Sequence, residues 1–175
     1  MKQREGEFEF DFTAAQSVEK LDSPLKQKPE GMKLVDFVVE EERRLIMIEI
    51  KDPSGKAKGG DPDAEKGLQH NRTEYVKKLQ NNTLIIEELT PKARDSYSYL
   101  HLMKRDTKPI LYVFLLGIDK LAIDHFLLLD VKERLLKRLR KEADQPWRRD
   151  YVSDCVVLTE KTWSATFPEY PLVRI

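Results

Sequence analysis

One stretch governs what this chain can become: Ile110 to Ile118 reads Ile-Leu-Tyr-Val-Phe-Leu-Leu-Gly-Ile, an almost unbroken apolar run set off by Pro109. Such a run has no polar face to offer water, so it predicts a strand in the interior of a sheet, covered on both sides. A sheet covered twice needs further layers, and the sequence supplies candidates for them. Ile123 to Ala143 predicts a helix with Leu128, Val131, Leu135 and Leu139 on one stripe, and Lys137, Arg138, Arg140 and Lys141 outside it. Glu7 to Phe12 alternates acids with phenylalanines, which puts Phe8, Phe10 and Phe12 on one face of a half-buried strand.

The remaining elements follow from punctuation. Thr13 to Gln16 spells a capping box and predicts a short helix running to about Asp22, closed by Pro24 and Pro29. Leu34 to Val39 and Leu45 to Ile50 flank the charged stretch Glu40 to Arg44, a β-hairpin pattern. Pro53, Gly55, Gly59, Gly60 and Pro62 then mark a mobile loop over about 52–63, made cationic by Lys56 and Lys58. A helix from about Ala64 to Gln80 follows, and Thr90 with Pro91 predicts the start of another that ends near Arg105. Val152 to Thr159 and Trp163 to Phe167 are read as closing strands. Strands alternating with helices give a mixed α/β fold, one domain over 1–175.

Composition narrows the function classes. The 175 residues hold 31 basic and 31 acidic side chains, so any polyanionic partner must be met by a local patch rather than by bulk charge. The apolar runs fall short of the roughly 18 to 20 residues that span a bilayer, and Met1 to Asp11 lacks a secretion signal. The expectation is a soluble, cytoplasmic protein with no membrane contact. One cysteine, Cys155, excludes an internal disulfide, and its place in the apolar run Cys155 to Leu158 predicts buried packing.

The hairpin carries the chemistry. With Glu41 to Arg44 as a four-residue loop, Glu40 pairs with Leu45, and counting outward sets Asp36 opposite Glu49. Cross-strand partners share a face, and Lys51, two residues beyond Glu49, projects from it too. Two facing carboxylates repel unless a cation neutralises them. Hard oxygen donors with an incomplete shell suit Mg²⁺ or Mn²⁺, which would activate a water and polarise a phosphate while Lys51 offsets developing charge.

Asp36, a spacer of twelve residues, then Glu49-Ile50-Lys51 on an apolar strand resembles the PD-(D/E)-x-K nuclease superfamily. The resemblance covers roughly residues 13 to 118. It implies a restriction-endonuclease-like mixed β-sheet flanked by helices, with Asp36 and Glu49 as metal ligands and Lys51 as the catalytic lysine. Val35 stands where many members carry proline. Glu19, on the expected first helix, and Gln69, on the helix after the motif, are the accessory candidates that the resemblance suggests. A plain Glu49 to Lys51 ion pair on a solvated hairpin is the competing structural reading.

Rival patterns are weaker. Asp119 with Asp130-Val131-Lys132 repeats the spacing loosely, but Asp130 and Lys132 lie in a helical pattern where i and i+2 diverge. Gly55 to Gly60 has phosphate-loop spacing, yet Asp61 and Pro62 stand where Lys and Ser/Thr are required. His70, His101 and His125 match no zinc spacing. For nucleic-acid contact the candidates are Lys56, Lys58, Lys137, Arg138, Arg140 and Lys141, with Trp147 as a stacking platform. The resulting expectation is a Mg²⁺-dependent DNA endonuclease, acting as a homodimer or with a partner subunit. The alternative is a catalytically inactive nuclease-fold module that binds nucleic acid or assembles with a partner protein.

Overall fold

The apolar run forms a strand interior to a five-stranded sheet, as its composition requires. The computed structural model describes residues 1–23, 29–55, 62–142 and 145–175. The strands are β1 (Lys2–Glu5), β2 (Phe8–Asp11), β3 (Ser17–Lys20), β4 (Phe37–Glu40), β5 (Leu45–Lys51), β6 (Ile110–Leu116), β7 (Lys141–Glu142), β8 (Gln145–Pro146), β9 (Asp154–Leu158) and β10 (Leu172–Arg174). The helices are α1 (Pro62–Gln80), α2 (Thr90–Leu102), α3 (His125–Leu139) and α4 (Glu160–Thr166), and a π-helical turn, Ile85–Leu89, leads directly into α2.

The main sheet has the order β3-β4-β5-β6-β9. The first three strands form an antiparallel meander, and β6 and β9 run parallel to β5. Two parallel neighbours need crossovers, and these carry α1 with α2, then α3. A smaller sheet, β1-β2-β10, together with α4 covers one face of the main sheet, and α1, α2 and α3 cover the other.

Strand alternation sorts two cores. Phe8, Phe10 and Phe12 are fully buried and pack with Phe37, Ile46, Ile48, Val113, Trp163 and Phe167. Phe10 lies 5.8 Å from Phe37 and 5.2 Å from Trp163, both edge-to-face. On the helix side, Val38, Met47, Tyr112 and Phe114 meet Leu79, Leu89, Ala93, Leu100 and the α3 stripe Val131, Leu135 and Leu139. Cys155 is buried in this second core.

Four expectations fail in whole or in part, each to a nameable competitor. Thr13 to Gln16 opens no helix: Asp11 accepts the Thr13 N–H at 2.9 Å, an Asx-type turn, and Ser17–Lys20 pairs with β4 instead. The α-helical ladder does begin at Thr90, with Pro91 in its first turn, but Thr90 is not its cap, because the chain is already helical through the π turn. Proline lacks an N–H and crowds the carbonyl four residues back. Here the π turn absorbs the mismatch: the Thr90 N–H donates to the Ile85 carbonyl, and the Glu87 carbonyl accepts from Lys33 Nζ at 3.0 Å. Trp163 to Phe167 is mostly helix, not strand, because Thr159 and Thr162 form a reciprocal capping box. Lys141–Glu142 leaves the expected α3 helix to pair with β8. The polar strand β1 gives no apolar signal; it is held beside β2 partly by Lys2 and Arg4 on Glu9, at 2.7 and 2.6 Å.

Among the described residues, no helix is long and apolar enough to cross a membrane.

Candidate functional site

The hairpin register is the one that brings the carboxylates together. Glu40 pairs with Leu45, Val38 with Met47 and Phe37 with Ile48. One step further, Asp36 lies across from Glu49, and its Oδ2 accepts the Ile50 N–H at 2.7 Å. The alternation that sends Ile46, Ile48 and Ile50 into the aromatic core leaves Met47, Glu49 and Lys51 on the helix face. Glu49 is fully buried and Asp36 is 5% exposed.

Lys51 Nζ lies 3.3 Å from Glu49 Oε1 and 2.9 Å from Glu88 Oε2, so the π turn reaches down to the motif lysine. Lys92, from the first turn of α2, reaches further in. Its Nζ is 2.8 Å from Glu49 Oε1 and 2.9 Å from Oε2, 3.9 Å from Asp36 Oδ1 and 3.7 Å from Asp22 Oδ2. Glu49 Oε1 is thus within ion-pair distance of two ammonium groups, yet it accepts no well-directed hydrogen bond. The Tyr75 hydroxyl, on α1, is also buried without a hydrogen-bond partner among the described residues.

Burial, and then the neighbouring Glu49 charge, push Asp36 up to about 7, against the pull of Lys92 and the Ile50 N–H. Burial likewise raises Glu49, opposed by Lys92 and Lys51. Burial pulls Lys51 down, but Glu49 and Glu88 outweigh it, and the net shift is upward. Glu88 moves the other way, because Lys51 overcomes its desolvation. Tyr75 is held well above its ordinary value by burial and by the Glu88 and Glu49 charges, so it is a neutral phenol.

The chain leaving the motif strand is fixed residue by residue. Arg174 donates to Asp52 at 2.7 and 3.1 Å, and also pairs with Glu7, Asp119 and Glu160. The buried Arg72 donates to the Pro53 and Gly55 carbonyls at 3.2 and 3.4 Å. Ser54 donates to the Gly117 carbonyl and accepts the Lys120 N–H. Gly117 leaves room for this arrangement, because a Cβ at this position would push the Asp52 carboxylate off its place beside Arg174.

Other sequence candidates are dispersed. Glu19 lies on β3 rather than on a helix, and pairs with Arg105 at 2.5 Å. Gln69 lines a groove of about 300 Å³ between α1 and the segment after β6, where its Oε1 lies 3.5 Å from Arg72 Nη1. Arg134, Lys137, Arg138 and Lys141 line a groove of about 360 Å³, bounded on its other side by Ile85 and Ile86 of the π turn that carries Glu88. Arg140 is outside it and donates to the Ser153 carbonyl at 3.2 Å. Trp147 is 41% exposed. Lys56 and Lys58 lie outside the described residues. Asp119 and Asp130 are drawn apart, the first to Arg174 and the second to Arg134.

Lys92, Glu88 and Tyr75 are the site residues that the motif does not reveal. Their one local sign is Lys92 beside the apparent helix start at Thr90, a position where the helix dipole disfavours a cation.

The donor set can be tested against a divalent cation. Asp36 and Glu49 supply hard carboxylate oxygens from facing strands, and Glu49 Oε1 keeps a lone pair without a directed donor, which fits such an ion. Among the described residues, no group of three His, Cys, Asp or Glu side chains gathers in metal-holding geometry. The cation beside both carboxylates is Lys92. No family model, curated protein or solved structure matches the chain.

Proposed function

We propose that this protein is a metal-dependent phosphodiesterase acting on nucleic acid, DNA foremost, with a restriction-endonuclease-like arrangement of its main sheet. The observation that carries the reading is the convergence of buried Asp36 and Glu49 with Lys51 at one end of β5. The antiparallel meander followed by helical crossovers to parallel strands supports it. In place of the N-terminal helix implied by the resemblance, this chain has β3.

In this reading Asp36 and Glu49 would hold Mg²⁺ or Mn²⁺, which when bound polarises the scissile phosphate and lowers the pKa of a coordinated water. Lys51 stays charged because Glu49 and Glu88 hold its proton. It therefore serves as a donor to a phosphoryl oxygen, not as the base. Glu88 orients that ammonium from the π turn, and the neutral Tyr75 hydroxyl is a further buried donor beside the same charges. The groove bearing Lys137, Arg138 and Lys141 offers positive charge for a polyanion beyond the site.

The test is cleavage of single-stranded, duplex and branched DNA with Mg²⁺, Mn²⁺ or EDTA, comparing wild type with Lys51→Ala and Asp36→Ala. The expected result is metal-dependent cutting, lowered by about 100-fold or more in each variant. Equal cutting by all three proteins would remove Asp36 and Lys51 from the chemistry.

A second reading, a non-catalytic module that binds nucleic acid or a partner protein, is favoured by one observation. Lys92 already offsets the Asp36 and Glu49 charge, so the buried acids do not need a metal to be tolerated. That reading expects no cutting and no metal-dependent stabilisation.

A further inference from the structure

We propose that Lys92 is a tethered counter-cation that holds the metal position between Asp36 and Glu49, so that a divalent ion loads only by displacing it towards Asp22. This inference rests on the metal-dependent reading above. The geometry is that of a cation in a shared carboxylate site: Lys92 Nζ straddles Glu49, at 2.8 and 2.9 Å from its two oxygens, and lies 3.9 Å from Asp36 Oδ1. A divalent ion bound by the same two carboxylates needs oxygens at about 2.0 to 2.2 Å, and those oxygens face the space that the ammonium takes up. Two cations cannot share that space: their repulsion in a half-desolvated site excludes joint occupancy.

Lys92 also has somewhere to go. Asp22, in the turn just after β3 and about one-third exposed, has its Oδ2 3.7 Å from the same Nζ. A lysine is a compact charge on a flexible four-carbon stem, so a rotation about its outer torsions exchanges the buried carboxylates for the outer one without moving α2. Lys51 differs in this respect, because Glu88 anchors it at 2.9 Å from the π turn. The two lysines thus divide the work: Lys51 is held, and Lys92 yields.

The device has a consequence for affinity. Every metal-binding event must break the Lys92 ion pair with Glu49, so the free protein binds metal less tightly than its carboxylates alone would allow.

The experiment is calorimetric titration of Mn²⁺ into wild type and Lys92→Met, with Asp36→Ala as the site control. Lysine ¹³Cε NMR of wild type during Mg²⁺ titration accompanies it, with the Lys92 resonance assigned through Lys92→Arg. The expected result is Mn²⁺ binding that Asp36→Ala abolishes and Lys92→Met tightens by about tenfold or more, with a shift of the Lys92 signal as Mg²⁺ saturates. Unchanged or weaker binding by a folded Lys92→Met protein would overturn the displacement while leaving the metal site standing. If Lys92→Met does not fold, a Lys92 signal unmoved at saturating Mg²⁺ overturns the displacement in wild type. No binding by wild type or by folded Lys92→Met would end the metal-dependent reading, and this inference with it.

Discussion

On one side of β5, Ile46, Ile48 and Ile50 pack into a layer of phenylalanines, Trp163 and Phe167. On the other side, the same seven-residue strand carries Glu49 and Lys51 into a cluster with Asp36, Glu88 and Lys92. Both sides are shielded from water, but they are shielded for different ends. The aromatic side gains from every apolar contact, through burial and edge-to-face ring packing. The charged side works against burial: desolvation is the largest influence on Asp36 and on Glu49, and it pushes both upward. A single strand can thus carry the stability of the fold on one face and hold poised charges on the other, because its side chains alternate.

The largest effect that separates the faces is expected at Phe10, which is fully buried against Phe37 and Trp163. Phe10→Ala should cost about 3 to 5 kcal/mol in denaturant unfolding. A loss below about 1 kcal/mol would mean that the aromatic layer is not the main source of stability.

The next effect depends on pH. Asp36 rises from 3.8 to about 7 on folding, so the folded state binds its proton more tightly than the unfolded chain does. The resulting stability is complete below the unfolded value and is lost as pH rises through about 7. At about 1.4 kcal/mol per pKa unit, the loss from this group is about 4 to 5 kcal/mol. Asp36→Asn, which keeps an acceptor for the Ile50 N–H, should flatten the fall between about pH 4 and pH 8 in chemical denaturation. An identical pH profile for the variant would show that the carboxyl is not strained by its surroundings.

The smallest effect tests the rim where the two faces meet. Arg174 binds Asp52, the residue after Lys51, and gathers Glu7, Asp119 and Glu160 around the same guanidinium. Arg174→Ala should lower stability by about 1 to 2 kcal/mol in denaturant unfolding, because it leaves several partly buried acids without their shared cation. No change in midpoint would reduce the cluster to surface decoration.

Much of this contrast is written in local patterns. The Phe8, Phe10 and Phe12 alternation and the apolar run from Ile110 each specify burial within a few residues, and both elements form as read. The four-residue loop Glu41 to Arg44 fixes the hairpin register, and so sets Asp36 across from Glu49. Where local chemistry met a long-range competitor, it misled. The capping pattern at Thr13 lost to pairing of Ser17–Lys20 with β4. The bulky residues of Trp163 to Phe167 suggested a strand, while the deciding signal was the Thr159 and Thr162 cap just ahead. Lys92 meets Glu49 at a sequence separation of 43, through a π turn that no periodicity marks. Gln69, the helix residue suggested by the resemblance, instead lies beside Arg72.

That π turn has a bearing on how such a site could be inherited. A π turn is an α-helix holding one residue more than its hydrogen-bond ladder needs, and each residue advances a helix by about 100°. Loss of a single codon between Ile85 and Leu89 would remove the extra residue, swing Glu88 out of phase with Lys92 and set Pro91 against the carbonyl that the π turn now spares it. The neighbourhood of the two buried acids is therefore open to revision by one insertion or deletion, a step far shorter than redesigning the sheet beneath it.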